Sequence, residues 1–342
     1  MQPGERGDRV MDCRLVGRSG LRVSPVALGT MNFGPVTFEP EAHTILDAAV
    51  AEGVNLIDTA DVYGADANRT IGGVSAAKGR TEEILGRWFA GAPGRRDRVV
   101  LTTKVFGTMG AAPNDRNLSA VHLRKACDAS LRRLQTDHID IYMLHHVDRN
   151  TPWDEIWEAL SVLRQQGKIV YAGTSNHAAW QLVQGQLAAV DRGMFGIVAE
   201  QSIYSLMQRN IELEVLPACV ALGIGLIAYS PLNSGLLAGV LQKSSKGSRS
   251  ASGRAVGGLA QYQDQIAQYE KLCAELGEHP AAVGLAWLLH QPGITAPVIG
   301  ARTIEHLEVG LRATALALDE QVLARLDEIF PPMGPAPEAY AW

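Results

Sequence analysis

Eight times along this chain, a short run of apolar and β-branched residues gives way to a longer stretch with apolar side chains three and four positions apart. The short runs fall at 26–29, 55–58, 99–104, 139–144, 169–173, 197–200, 225–229 and 296–299. This alternation is the pattern of parallel βαβ units, because a strand returning parallel needs a crossover, usually a helix. Ala42, Ile45, Leu46, Ala49 and Val50 form one helical stripe; Trp157, Leu160, Leu163 and Arg164 form most of another. Eight units in roughly 300 residues fit a closed (β/α)8 TIM barrel better than an open doubly wound sheet. The open sheet would carry a Gly-x-Gly-x-x-Gly turn after its first strand. Here that strand runs into Leu28-Gly29-Thr30-Met31-Asn32-Phe33-Gly34, whose two glycines are spaced differently.

No linker divides the chain, so its 342 residues are expected in one α/β domain. A β-hairpin occupies about 12–25, turning through Gly17-Arg18-Ser19-Gly20; the barrel occupies about 26–315, and a C-terminal helix and tail about 316–342. Residues 242–258, rich in Ser, Gly, Lys and Arg, are expected as a long loop in the seventh unit. The tail ends in Tyr340-Ala341-Trp342, whose aromatics are expected to pack on the body, over the site or against another subunit.

Composition excludes several functions. Hydrophobic residues make up 46% of the chain, which excludes disorder. With 31 basic against 36 acidic residues there is no charge excess for general nucleic-acid binding. No apolar run approaches the ~20 residues of a membrane span, and the first twenty residues lack a signal-peptide core. A cytoplasmic protein is expected. Cys13, Cys127, Cys219 and Cys273 are far apart and form no Cys-x-x-Cys pair, which argues against zinc and a disulfide framework.

A TIM barrel carries its chemistry at the C-terminal ends of its strands. Asp58 ends the second strand, Lys104 the third and His145 the fourth, and Tyr63 follows Asp58 in Asp58-Thr59-Ala60-Asp61-Val62-Tyr63-Gly64. Singly, an aspartate at a strand end reads as a turn residue and a tyrosine as packing. Together they form a catalytic set. A nearby ammonium lowers the pKa of a tyrosine, a carboxylate keeps the lysine charged and oriented, and a histidine polarises a carbonyl. Met31, Phe33, Phe106 and His146 lie just past strand ends, as pocket wall, with barrel-top packing the alternative for Met31 and Phe106.

These residues resemble the aldo-keto reductase superfamily over nearly the whole chain. The likeness rests on Leu28-Gly29-Thr30, Asp58-Thr59-Ala60-x-x-Tyr63-Gly64, Thr103-Lys104, Leu144-His145, Gly173-Thr174-Ser175-Asn176, Glu200-Gln201, Tyr229-Ser230-Pro231-Leu232 and Val298-Ile299-Gly300. It implies a barrel that binds NADPH across its mouth, with NADH not excluded, and reduces a small-molecule carbonyl. Tyr63 would be the general acid, Lys104 and Asp58 its tuners, and His145 the orienter of the carbonyl. The cofactor would be held by Gly29, Thr30, Met31, Asp58, Ser175, Asn176, Gln201, Tyr229, Ser230, Pro231, Leu232, Gly235, Leu236, Gly300, Arg302 and His306. Met31, Phe33, Tyr63, Phe106, His145 and His146 would face the substrate. Many relatives carry Lys or Ser after the eighth strand, then Gln or Arg and Glu-Asn on the next helix; this chain has Gly300-Ala301-Arg302-Thr303, then His306, Val309 and Gly310.

A finer likeness, in 130–155, 212–217 and 284–287, is to actinobacterial members that include nucleotide-sugar reductases of deoxysugar pathways. It implies a keto-deoxysugar nucleotide such as a dTDP-4-keto-6-deoxyhexose as substrate. The competing readings are a general aldehyde reductase of detoxification, a non-catalytic NADPH-binding regulatory subunit, and an unrelated barrel hydrolase or lyase using Asp58 and His145 alone. Neither a nucleic-acid nor a membrane partner is expected, and monomer and homo-oligomer both remain open.

Overall fold

A computed structural model of the chain describes residues 11–64, 70–71, 74–75, 77–241 and 253–341. A hairpin of β1 (Arg14–Leu15) and β2 (Arg22–Val23) comes first. Then follow β3 (Ala27–Gly29), α1 (Glu39–Ala51) and β4 (Leu56–Asp58). A two-stranded antiparallel ribbon, β5 (Thr70–Ile71) with β6 (Val74–Ser75), interrupts the loop before α2 (Arg80–Ala90). The alternation resumes with β7 (Val100–Val105), α3 (Ala120–Leu134), β8 (Ile139–Leu144), α4 (Trp153–Gln165), β9 (Ile169–Ser175), α5 (Ala179–Val190), β10 (Ile197–Ile203), α6 (Val215–Leu222) and β11 (Gly225–Tyr229). It ends with α7 (Gly253–Glu275), α8 (Pro280–His290), β12 (Ile294–Ile299), α9 (Ile304–Arg312), α10 (Glu320–Ile329) and α11 (Glu338–Ala341). Strands β3, β4, β7, β8, β9, β10, β11 and β12 close in that order into a parallel barrel. The (β/α)8 fold expected from the alternation is therefore the fold observed.

Period-two alternation along the strands sorts the side chains into two apolar layers. Ala27, Leu56, Val100, Ile141, Met143, Ala199 and Ile227 fill the barrel interior, where they meet Val16 and Val23 of the hairpin. The hairpin thus plugs the N-terminal end of the barrel. The outward positions, among them Ile57, Leu101, Val105, Tyr142 and Leu144, pack against the helices, and all five residues of the α1 stripe are buried. Two or four residues on from the interior apolar positions stand polar ones: Asp58 after Leu56, Thr102 and then Lys104 after Val100, His145 after Met143 and Gln201 after Ala199. The interior changes from apolar to polar along its axis, so its polar side chains gather at the C-terminal mouth.

Some expectations are corrected. Of the loop assigned to 242–258, residues 242–252 lie outside the described residues, and 253–258 begin α7. Arg164 is exposed, whereas the buried positions of α4 are Ile156, Trp157, Ala159, Leu160 and Leu163. Tyr340 does not pack on the body: it is 69% exposed on α11, a helix of only 4 residues. The tail before it is held instead by Ala336 N–H donating to the Leu213 carbonyl at 3.0 Å. Trp342 lies outside the described residues.

Helices α2 and α3 approach closely at Gly86, where a β-carbon would overlap the carbonyl oxygen of Arg133. Overpacking of this kind costs about 1–3 kcal/mol. Gly86→Ala is expected to lower the urea midpoint correspondingly, with the slope unchanged; an unaltered midpoint would show that the two helices separate freely.

Candidate active site

The site is built from the ends of β4, β7 and β8. After β4 the backbone is pinned to β7 twice, by Thr59 N–H to the Thr102 carbonyl at 2.9 Å and by Asp61 N–H to the Lys104 carbonyl at 3.1 Å. The chain then turns, with Tyr63 N–H on the Ala60 carbonyl at 3.1 Å, and this brings the Tyr63 ring back over Lys104. Gly64, at φ +94°, completes the turn; any β-carbon there would also press on Arg80 and on the backbone of Thr81.

Lys104 has no exposed surface, and its ammonium directs all its protons at named acceptors. Nζ lies 2.8 Å from each carboxylate oxygen of Asp58, 2.9 Å from the Thr59 carbonyl and 3.4 Å from the Tyr63 oxygen. Burial opposes the ammonium, but Asp58 and Tyr63 outweigh it and the Lys104 pKa ends above its ordinary value. Tyr63 was expected to be lowered by this neighbour. Lys104 does act in that direction, yet burial is larger, and the phenol is raised above its usual range. Because the tyrosine oxygen accepts from Lys104, its own proton is free to be donated elsewhere.

His145 meets the Tyr63 ring edge-on, with centroids 5.9 Å apart, and stacks on His146 at 4.8 Å with 6° between planes. Burial, then the Lys104 charge, pushes His145 down to about 2, so it is a neutral imidazole. His146 is lowered too, by burial, and meets Phe106 edge-on at 5.3 Å. The four residues expected to act together are therefore brought together, with His146 and Phe106 beside them. Met31 is exposed at the rim. Phe33 departs from its assignment as pocket wall: the tight turn that bonds Phe33 N–H to the Thr30 carbonyl at 2.8 Å folds the side chain into the core, fully buried.

The expected cofactor residues line the other half of the rim. The Ser175 hydroxyl donates to the Gln201 carbonyl at 2.8 Å, Asn176 Nδ2 donates to the His145 carbonyl at 3.2 Å, and the Tyr229 hydroxyl donates to Asn176 Oδ1 at 2.8 Å. Gln201 Nε2 donates to Asp58 Oδ1 at 2.8 Å, a link that residue types alone did not reveal. After β11 the backbone turns left-handed at Ser230, Asn233, Ser234 and Gly235, and open space lies where a Gly235 β-carbon would be. Gly300, Arg302 and His306 are exposed around the N-terminus of α9. An open turn, a helix N-terminus and an exposed guanidinium at the ends of neighbouring strands suit an extended anionic nucleotide, so the residues fit such a cofactor. Leu236 and Pro231 are buried and Gly29 abuts Val298, so their side positions pack the fold; Thr30 is buried and donates to the Asp58 carbonyl at 2.9 Å. Among the described residues no His, Cys, Asp and Glu cluster could hold a metal ion.

A profile of the aldo/keto reductase family matches residues 25–330. The chain belongs to the aldo/keto reductase family. It is 46% identical, over 97% of its own length and all of the relative's, to a Bacillus subtilis protein named as the uncharacterized oxidoreductase YrpG. It is 32% identical to the Escherichia coli protein tas, covering 93% of this chain and 97% of that one. It is also 30% identical to a probable voltage-gated potassium channel subunit beta of Arabidopsis thaliana, over 96% of this chain and 100% of that one. As a member of this family the chain is an NAD(P)H-dependent oxidoreductase acting on carbonyl groups. No helix among the described residues is long and apolar enough to cross a membrane.

On the loop between Asp58 and Tyr63 lies an acid that no motif explains. Asp61 is fully buried and neither carboxylate oxygen has a hydrogen-bond partner among the described residues. Burial first, then the neighbouring Glu82 carboxylate, raises its pKa well above the usual range. The folded state holds a proton there that the unfolded chain releases near pH ~3.9, so stability falls as pH rises above about 4 towards the folded pKa. Asp61→Asn removes the penalty. Calorimetry is expected to show the variant melting above the parent at pH 8, with the gap closing as the pH falls to about 4; a gap independent of pH would mean that Asp61 is ionised in the fold.

Proposed function

We propose that the chain is an NADPH-dependent carbonyl reductase in which Tyr63 is the general acid, and that its substrate is a keto-sugar, including nucleotide-linked keto-deoxysugars. The observation that carries the first part is the use of the Lys104 protons: two directions are taken by Asp58 and Thr59, and the third by the tyrosine oxygen. When bound, the reduced nicotinamide supplies the hydride. Ser175, Asn176 and Gln201 would hold its carboxamide and Tyr229 would lie against the ring, with Arg302 matched to a 2′-phosphate by charge. His145, neutral, donates a hydrogen bond that orients the substrate oxygen, Tyr63 gives that oxygen its proton, and Lys104 stabilises the phenolate left behind. The adjoining His146, stacked on His145, gives the mouth a polar neighbour suited to a hydroxylated substrate. A simple aldehyde would leave it unused.

Purified protein with NADPH is expected to oxidise the cofactor with keto-sugars, nucleotide-linked ones among them, faster than with simple aldehydes. Tyr63→Phe is expected to lower kcat by about 10²-fold or more while still quenching tryptophan fluorescence on binding NADPH. Small aldehydes outrunning every sugar by orders of magnitude would remove the sugar reading and favour a general aldehyde reductase. No cofactor oxidation with any carbonyl, and a Tyr63→Phe variant indistinguishable from the parent, would favour a non-catalytic subunit.

The lowered His145 pKa makes a separate prediction. An imidazole with an ordinary pKa of about 6.5 would protonate through the mildly acidic range. Here kcat/KM for reduction is expected to be level from about pH 5 to pH 8, since His145 stays neutral and Tyr63 stays protonated. A loss of activity centred near pH 6.5 that His145→Gln abolishes would overturn the neutral assignment.

A further inference from the structure

Asp58 carries more hydrogen bonds than its pairing with Lys104 explains. Among the described residues its Oδ2 accepts only from Lys104 Nζ, at 2.8 Å. Its Oδ1 accepts from Lys104 at 2.8 Å, from Gln201 Nε2 at 2.8 Å and from the Thr102 hydroxyl at 2.7 Å. Thr102 has no exposed surface, and its hydroxyl reaches Asp58 because the β4–β7 register sets the two residues directly opposite each other. It stands two residues before Lys104 on β7, so both side chains point into the barrel. Thr103, between them, points outward and donates to Glu82 at 2.6 Å.

We propose that Thr102 is a positioning residue for proton transfer, setting how much of the Lys104 charge Asp58 leaves for Tyr63. The proposal rests on the reading of Tyr63 as the general acid. The chemistry is a division of one positive charge. A carboxylate that accepts a hydroxyl proton is a weaker partner for an ammonium, because part of its charge is already met. The ammonium then keeps its contact with the tyrosine oxygen, which at 3.4 Å is the longest of its four. Without the Thr102 hydroxyl, Asp58 binds Lys104 more strongly and Tyr63 is left with less of the positive charge. The phenolate is then harder to form. Gln201 alone does not replace the hydroxyl, since its amide already donates to the same oxygen.

Thr102→Val keeps shape and strand preference and removes the donor; Thr102→Ser keeps the donor. In the reduction direction, Thr102→Val is expected to lower kcat roughly threefold to tenfold, with the NADPH dissociation constant, read from tryptophan fluorescence, unchanged within about twofold. In alcohol oxidation, where the phenolate is the base, the rise of kcat/KM with pH is expected to move upward by roughly half to one unit. Thr102→Ser is expected to restore both. A readout independent of turnover is the 13C resonance of the Tyr63 ring carbon bearing oxygen, assigned by its loss in Tyr63→Phe, whose titration should move in the same direction. A Thr102→Val profile superimposable on the parent overturns the proposal. So does an equal loss in Thr102→Val and Thr102→Ser with the pH profiles and the resonance unmoved. If the parent oxidises no NADPH with any carbonyl, the reductase reading fails, and the resonance still decides whether Thr102 tunes Tyr63.

Discussion

Placing an ammonium where no water reaches it is unfavourable by several kcal/mol unless fixed partners replace its hydration. Lys104 is in that position, and much of the barrel mouth can be read as the set of groups that make it tolerable. Asp58 supplies the counter-charge from the neighbouring strand, and the Thr59 carbonyl supplies a dipole from the loop that β4 feeds. The same loop is stitched to β7 by backbone hydrogen bonds, so the geometry around the ammonium is held by the sheet itself. Tyr63 takes the one remaining direction. A flexible surface lysine could not impose such an arrangement, because it would keep its water and choose its own rotamer.

Much of this was legible in the sequence, for reasons that differ from residue to residue. The strands were readable because parallel strands buried on both faces leave short apolar runs, and the helices because one face of each must meet the sheet. Asp58, Lys104 and His145 were readable because each ends a strand, the place where a barrel puts its chemistry. The bond from Thr102 to Asp58 is only half legible in the sequence: alternation places Thr102 on the Lys104 face, but only the register of β4 against β7 shows that it stands opposite Asp58. Register is a long-range property, and a single strand carries no record of it. Phe33 went astray for the converse reason. Its position just past a strand end suggested the rim, but a local turn reverses the chain and carries the ring inward. Tyr340 failed because two terminal aromatics say nothing of the surface on which they would pack.

The electrostatics of the mouth follow from how few full charges it contains. Lys104 and Asp58 neutralise each other, His145 is held neutral by burial and by Lys104 itself, and Tyr63 keeps its proton. On the proposed function, a carbonyl oxygen arriving there would meet two neutral donors and no free ion. Negative charge developing on it would be met by proton transfer, and the charge left on Tyr63 would fall 3.4 Å from the Lys104 ammonium. Reorganisation is small because nothing has to move to receive that charge.

The same economy bears on cofactor recognition. The whole chain is acidic, with a net charge of −5, yet the ligand expected across its mouth is itself an anion. What would meet that ligand on the proposed function is local: an open left-handed turn after β11, the N-terminus of α9 and the exposed guanidinium of Arg302. Screening limits the reach of distant surface charge to about 8–10 Å, so the acidic balance elsewhere does little to oppose binding at this rim. Arg302 is the one full positive charge among these groups. On the proposed function, discrimination between cofactors with and without the 2′-phosphate would rest on Arg302 more than on the turn, whose backbone both cofactors would meet alike.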